Sequence, residues 1–177
     1  MDLHDFSGGE MYFDESLPAE VSKLIDSASE AYAEGNAEYP LLRAYFLAPE
    51  SLTVLVSLYR FYYYQHRYVD ALHCADKAMA ISSAKLEMDI PWQKLDMQTL
   101  AYGLMNSMTL VRFYLMTLKG AGYLNLRLDN VDLGVQMLEK VLELDKEDRL
   151  GTGYLLATVE GYQRRKNANF GKLTVVA

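Results

Sequence analysis

The chain has 177 residues, 51% of them apolar, with a formal net charge of −7 and a pI near 4.9. That length and composition support one domain with a proper core and exclude global disorder. The acidic balance repels phosphate backbones and sets nucleic-acid binding aside.

Residues 1–18 show no periodicity and contain Gly8-Gly9, so they read as a flexible N-terminal arm. The opening MDLHDFSGGEMYFDE is acidic and lacks the basic and apolar regions of a signal peptide. The single cysteine, Cys74, can form no internal disulfide, which fits a cytoplasmic setting. The longest uncharged span, Met97 to Val111, is too short to cross a membrane.

Prolines stand only at 18, 40, 49 and 91, and such sparse punctuation favours long helices. The spacing predicts a helical domain over 19–166, followed by a C-terminal tail over 167–177. The first helix runs from Glu20 to Glu34, with Val21, Leu24, Ile25, Ala28, Ala31 and Tyr32 on one face, and Gly35-Asn36 stops it. A short helix follows Pro40 and ends at Pro49. Ser51 then caps SLTVLVSLYRFYYYQ, and a turn at His66-Arg67 leads into YVDALHCADKAMAIS. Residues 84–90 read as a loop, with Asp89 as N-cap and Pro91 at the first position of the helix that carries Trp92 to Met105. A long helix from Met108 to Arg127, a turn at Asp129-Asn130, VDLGVQMLEKVLELD and a capping helix from Glu147 to Lys166 complete the series.

Helix pairs in this series share one template. Leu55, Leu58 and Tyr62 precede one turn, and Tyr68, Ala71, Ala75, Ala78 and Met79 follow it. Leu118, Ala121, Gly122 and Asn125 precede the other, and Val131, Gly134, Leu138, Val141 and Leu142 follow at the same spacings. Ala71 and Gly134 fall at one template position, where a small residue lets two helix backbones approach. Residues 20–146 resemble the tetratricopeptide repeat family in this pattern, with two well-matched units, a first unit matching at Leu24, Ala28, Ala31, Gly35 and Pro49, and a half unit at Trp92, Leu95 and Gly103. The resemblance implies an all-α fold of stacked antiparallel helix hairpins in a right-handed superhelix with a C-terminal capping helix. It also implies a non-catalytic protein-protein interaction module, an adaptor or chaperone-like protein binding a peptide or protein segment in its concave groove.

Catalytic motifs are missing: no G-x-S-x-G, Walker-type loop, G-x-G-x-x-G or H-E-x-x-H occurs. GTG at 151–153 lacks the downstream lysine that phosphate binding would want. His66, Asp70, His73 and Cys74 have residue types that suit zinc, but the template puts His66 in a turn and Cys74 beside a core position. No enzyme, metal or cofactor is therefore expected. The template instead assigns Thr53, Val56, Arg60, Tyr63 and Tyr64 to the concave groove, with Met116, Lys119, Tyr123, Leu126 and Arg127 at the matching positions of the last unit. Tyrosine and arginine are typical of binding hot spots, and cations on an acidic chain point to an acidic peptide. Some members of the family clamp a carboxylate with lysine, arginine and asparagine; here the asparagine positions hold Ser57 and Tyr123, which departs from that clamp. The alternative is a self-associating oligomer, with the methionine-rich region from Trp92 to Met108 as its interface.

Overall fold

The computed structural model describes residues 15–32, 35–159 and 161. Residues 1–14 of the expected arm over 1–18, the end of the first helix at Glu34, the end of the capping helix at Lys166 and the tail over 167–177 lie outside the described residues. Among the described residues the protein is all-α, with no strand. The helices are α1 (Ala19–Ala31), α2 (Glu38–Leu47), α3 (Leu52–Tyr64), α4 (Tyr68–Lys85), α5 (Met97–Asn106), α6 (Met108–Arg127) and α7 (Val131–Leu144), with a single 3₁₀ turn (Trp92–Lys94) ahead of α5. A further helix, α8, occupies 152–159.

Short polar side chains set where several helices begin. Val54 donates to Ser51 Oγ at 3.3 Å, Leu110 to Ser107 Oγ at 3.2 Å and Thr99 to Asp96 Oδ1 at 2.8 Å, so each cap satisfies an N–H that the helix leaves unpaired. The expected cap at Asp89 is thus displaced to Asp96. Pro91 opens only the 3₁₀ turn, because Leu95 returns to an extended conformation and breaks the run before Asp96. Likewise α8 begins at 152 rather than at Glu147, since the Asp148 carboxylate accepts from Thr152 at 2.6 Å and from Gly153 at 3.1 Å.

Among the described residues one device reverses the chain between paired helices three times, and it also ends α4, where Glu87 has φ 55° and Met88 donates to the Ser83 carbonyl at 3.0 Å. Gly35, His66 and Asp129 have φ of 76°, 59° and 66°. The residue after each donates five positions back: Asn36 to Ala31, Arg67 to Tyr62 and Asn130 to Asn125. This is the Schellman closure, in which a left-handed residue ends one helix and aims the chain back along it. Three equivalent turns join α1 to α2, α3 to α4 and α6 to α7, and each joined pair packs together.

Between these pairs α2 packs on α3 and α4 packs directly on α6. The segment from 86 to 107 is therefore inserted beside the stack, with α5 resting on α6 through Leu100 and Gly103. Asn106 Nδ2 donates to the Leu86 carbonyl at 3.1 Å, and Lys140 Nζ to the Leu95 carbonyl at 3.1 Å, so the insertion is pinned to both α4's end and α7. The core runs along the whole stack: Val21, Leu52, Leu55, Phe113, Leu118, Leu124, Leu138 and Val141 are fully buried. Each such side chain contributes about 2 kcal/mol of burial.

Candidate functional site

Being flanked by α2 on one side and α4 on the other, α3 buries nearly all of its surface. Its residues outside the core are Ser57, Arg60, Tyr63 and Tyr64, spaced by three, three and one, so they form one strip along the helix. In the second half of α6 the residues outside the core are Lys119, Tyr123, Leu126 and Arg127. Ser57, Arg60 and Tyr64 of the α3 strip face α1 across a cleft of about 510 Å³, lined also by Ile25 and Ala28 of α1, Tyr32 at its C-cap, Leu41 of α2 and Phe61 of α3. Arg60 supplies the charged side chain of that lining, and Ser29, Ser57 and the two tyrosines supply hydroxyls.

Tyr64 joins the cleft to a cluster of tyrosines. Its ring centroid lies 5.5 Å from that of Tyr63, which in turn lies 6.2 Å from Tyr59, 6.0 Å from Tyr68 and 6.1 Å from Tyr123. Offset and edge contacts at such distances hold aromatic rings in fixed orientations. Burial, followed by a hydrogen bond with the Tyr123 hydroxyl, pushes the Tyr63 phenol well above the usual tyrosine range, so it stays protonated. The Arg127 guanidinium sits 4.5 Å above the Tyr68 ring and donates to the Tyr123 hydroxyl at 3.0 Å. α1, α3 and α6 thus present a continuous face, half apolar cleft and half aromatic wall.

Not every expected groove residue lies on it. Thr53 and Val56 are 4% and 6% exposed and belong to the core. Val56 lies with Tyr59, Cys74, Ala75 and Phe113 in the seam between α3, α4 and α6, because the direct packing of α4 on α6 closes that side of α3. Thr53 is covered at the helix start, where its N–H donates to Glu15 at 2.9 Å. Met116 is likewise buried. Leu126 is half-buried and turned toward Gly134 of α7, whose missing side chain leaves room for it. Lys119 is also half-buried, and its ammonium donates to the Leu150 carbonyl at 2.6 Å. Arg60, Tyr63, Tyr64, Tyr123 and Arg127 are the expected residues that the fold brings together. The contribution of α1 to the cleft was missed, although Ile25, Ala28 and Tyr32 already stood on one apolar face in the sequence.

Glu15 is another residue without a motif to announce it. Its carboxylate accepts from Ser51 Oγ at 2.7 Å as well as from the Thr53 and Leu52 N–H groups, and Lys85 Nζ lies 3.8 Å away. Burial alone would raise its pKa, but these hydrogen bonds outweigh that and hold it below the ordinary 4.5. A charge at the positive end of α3 ties the chain ahead of α1 to the start of the next hairpin.

The His66, Asp70, His73 and Cys74 set is dispersed. His66 Nδ1 stands 2.8 Å from the Tyr68 hydroxyl, and Asp70 accepts from Arg67 Nε at 2.7 Å. Cys74 is buried, and its thiol is pushed up to about 12, first by burial and then by the charge of Asp70. Among the described residues no group of three or more His, Cys, Asp and Glu could hold a metal ion. Also among the described residues, no helix is long and apolar enough to cross a membrane.

Among the described residues the chain is thus an all-helical protein whose paired helices α1–α2, α3–α4 and α6–α7 stack around one core, with α4 packed directly on α6. It is 49% identical over 156 residues to the "Uncharacterized 19.8 kDa protein in nifW 5'region" of Azotobacter chroococcum mcd 1, an alignment covering 88% of this chain and 87% of that one. The chain belongs to the same family as that protein. No family model and no solved structure matches it.

Proposed function

We propose that this protein is a non-catalytic binding module, an adaptor or chaperone-like protein of the tetratricopeptide type working in the cytoplasm. The face made by α1, α3 and α6 would be the concave groove of a short right-handed superhelix, holding a peptide segment of another protein. The observation that carries this reading is the strip Ser57, Arg60, Tyr63 and Tyr64, the part of α3 outside the core, of which Ser57, Arg60 and Tyr64 line the 510 Å³ cleft. A helix otherwise packed on every side keeps arginine and tyrosine where a partner can reach them, and these residue types dominate binding hot spots. The tyrosines around Tyr63 already hold one another in place, so binding costs little ordering there.

Arg60 within an apolar lining fits a segment that offers an acidic group beside an aromatic or aliphatic side chain. The test is a peptide array of acidic-aromatic sequences probed with the wild type, Arg60→Gln and Tyr64→Ala, followed by titration of the retained peptides. Both substitutions are expected to weaken binding by roughly tenfold or more, and Arg60→Gln to flatten the salt dependence. Peptides that bind all three proteins equally, or no retained peptide at all, would overturn the assignment.

A further inference from the structure

Glu15 fixes where the chain stands before the first helix. Its carboxylate accepts from Ser51 Oγ at 2.7 Å and from the Thr53 N–H at 2.9 Å, at the start of α3. Four residues later, at Ala19, the chain begins α1, so α1 and α3 start at the same end of the stack. The cleft between them opens at Ile25 and Ser57, a turn and a half into each helix, and closes at Tyr32 and Tyr64. The chain therefore enters at one end of the cleft, and the residues ahead of Glu15 are joined to the fold at that mouth.

Reach follows from the geometry of helix and strand. Arg60 lies about 10 Å beyond Thr53 along α3, and Tyr64 about 16 Å beyond it. An extended chain covers about 3.3 Å per residue, so the residues from 10 to 14 span the whole cleft. They read Glu10-Met11-Tyr12-Phe13-Asp14. Counted back from Glu15, Phe13 comes level with Ser57 and Tyr12 with Arg60. The chemistry also agrees. Ile25, Ala28, Leu41 and Phe61 give the cleft an apolar lining, and its volume of about 510 Å³ is that of a site for a drug-sized ligand. The charged side chain in the lining is the cationic Arg60, whereas residues 1–15 carry three aspartates and two glutamates with neither lysine nor arginine.

We infer that the segment from Glu10 to Asp14 of the same chain fills the cleft in the free protein, with Tyr12 and Phe13 in its apolar part, and that an outside peptide binds by displacing it. This rests on the reading of the cleft as a peptide-holding groove and names what occupies it beforehand. Attachment makes even a weak ligand effective, because a short link holds it at a concentration on the order of 1 mM. A segment with a dissociation constant on the order of 0.1 mM then occupies the cleft about ten times out of eleven and weakens an outside peptide about tenfold.

The test is the rate at which a disulfide reagent modifies Ser57→Cys in the full chain, with and without the pair Tyr12→Ser and Phe13→Ser. Ser57 is half-buried on the cleft wall, and the native thiol Cys74, being buried, serves as the internal reference. The serine pair is expected to speed labelling at 57 about tenfold and to leave Cys74 slow. A synthetic peptide DFSGGEMYFD, added at about 1 mM to match the attached segment, is expected to restore protection in the serine variant. Equal rates at 57 with and without the serines overturn the inference. So does a serine variant that the peptide fails to protect, or a rate raised equally at Cys74, which would mean that the fold and not the cleft has opened. Outside peptides that bind both chains equally refute the attached occupant and leave the cleft a peptide site. Protection at 57 that the serines relieve, with no outside peptide bound by the serine variant, supports the attached occupant and refutes the outside partner.

Discussion

Gly134 offers a sharp test of how the last hairpin is built, because two ordinary effects oppose each other there. A β-carbon at Gly134 would lie 2.8 Å from the carbonyl oxygen of Gly122 and 2.8 Å from both Cγ and Cδ2 of Leu126. Intrinsic helix propensity favours Gly134→Ala by about 1 kcal/mol. Overpacking a tight interior costs about 1–3 kcal/mol, and the upper part of that range applies because one obstacle is backbone. That backbone belongs to α6 between Leu118, Ala121 and Leu124, all 0% exposed, so it cannot move aside cheaply. The net expectation is a loss of roughly 1–2 kcal/mol, a drop in thermal midpoint of about 2–8 °C for a chain of this size. Gly122→Ala is the internal comparison: its β-carbon would meet Leu138 and Met137 at 3.1 Å and the Gly134 oxygen at 3.2 Å, so it should cost less. Thermal unfolding followed by circular dichroism measures both. A Gly134→Ala protein as stable as the wild type, or more stable than Gly122→Ala, would refute the close approach of α6 and α7.

Three further outcomes follow from the local contacts. Glu15→Gln should lower stability by about 1 kcal/mol near neutral pH. Because the folded carboxyl titrates below its ordinary 4.5, its contribution is present above that value and is lost as pH falls through the folded pKa; the gap in thermal midpoint between wild type and variant should therefore close on acidification from pH 6 toward pH 3. Cys74, buried and with its thiol raised to about 12, should react with a disulfide reagent only as fast as the protein opens, and immediately in denaturant; fast labelling of the native chain would contradict its placement. Lys119→Gln should cost about 1 kcal/mol of stability through the bond to the Leu150 carbonyl, and a peptide that binds the wild type should bind the folded variant with little change.

The helices were legible where periodicity and caps agreed. Ser51 followed by an apolar run, and Asp129-Asn130 between two periodic stretches, are signals a single sequence carries complete, and α3, α6 and α7 begin and end within a residue or so of expectation. Pro91 misled because proline at a first helical position marks a 3₁₀ turn as readily as an α-helix; the pairing of Asp96 with Thr99 was the better signal. On α3 the spacing separated Arg60, Tyr63 and Tyr64, which lie outside the core, from the buried Tyr59 and Tyr62. It failed at Thr53 and Val56 because what covers them comes from far along the chain, Glu15 in one case and Phe113 in the other. No periodicity within α3 can register those neighbours. The same holds for Lys119, whose partner is a backbone oxygen set by the turn before α8.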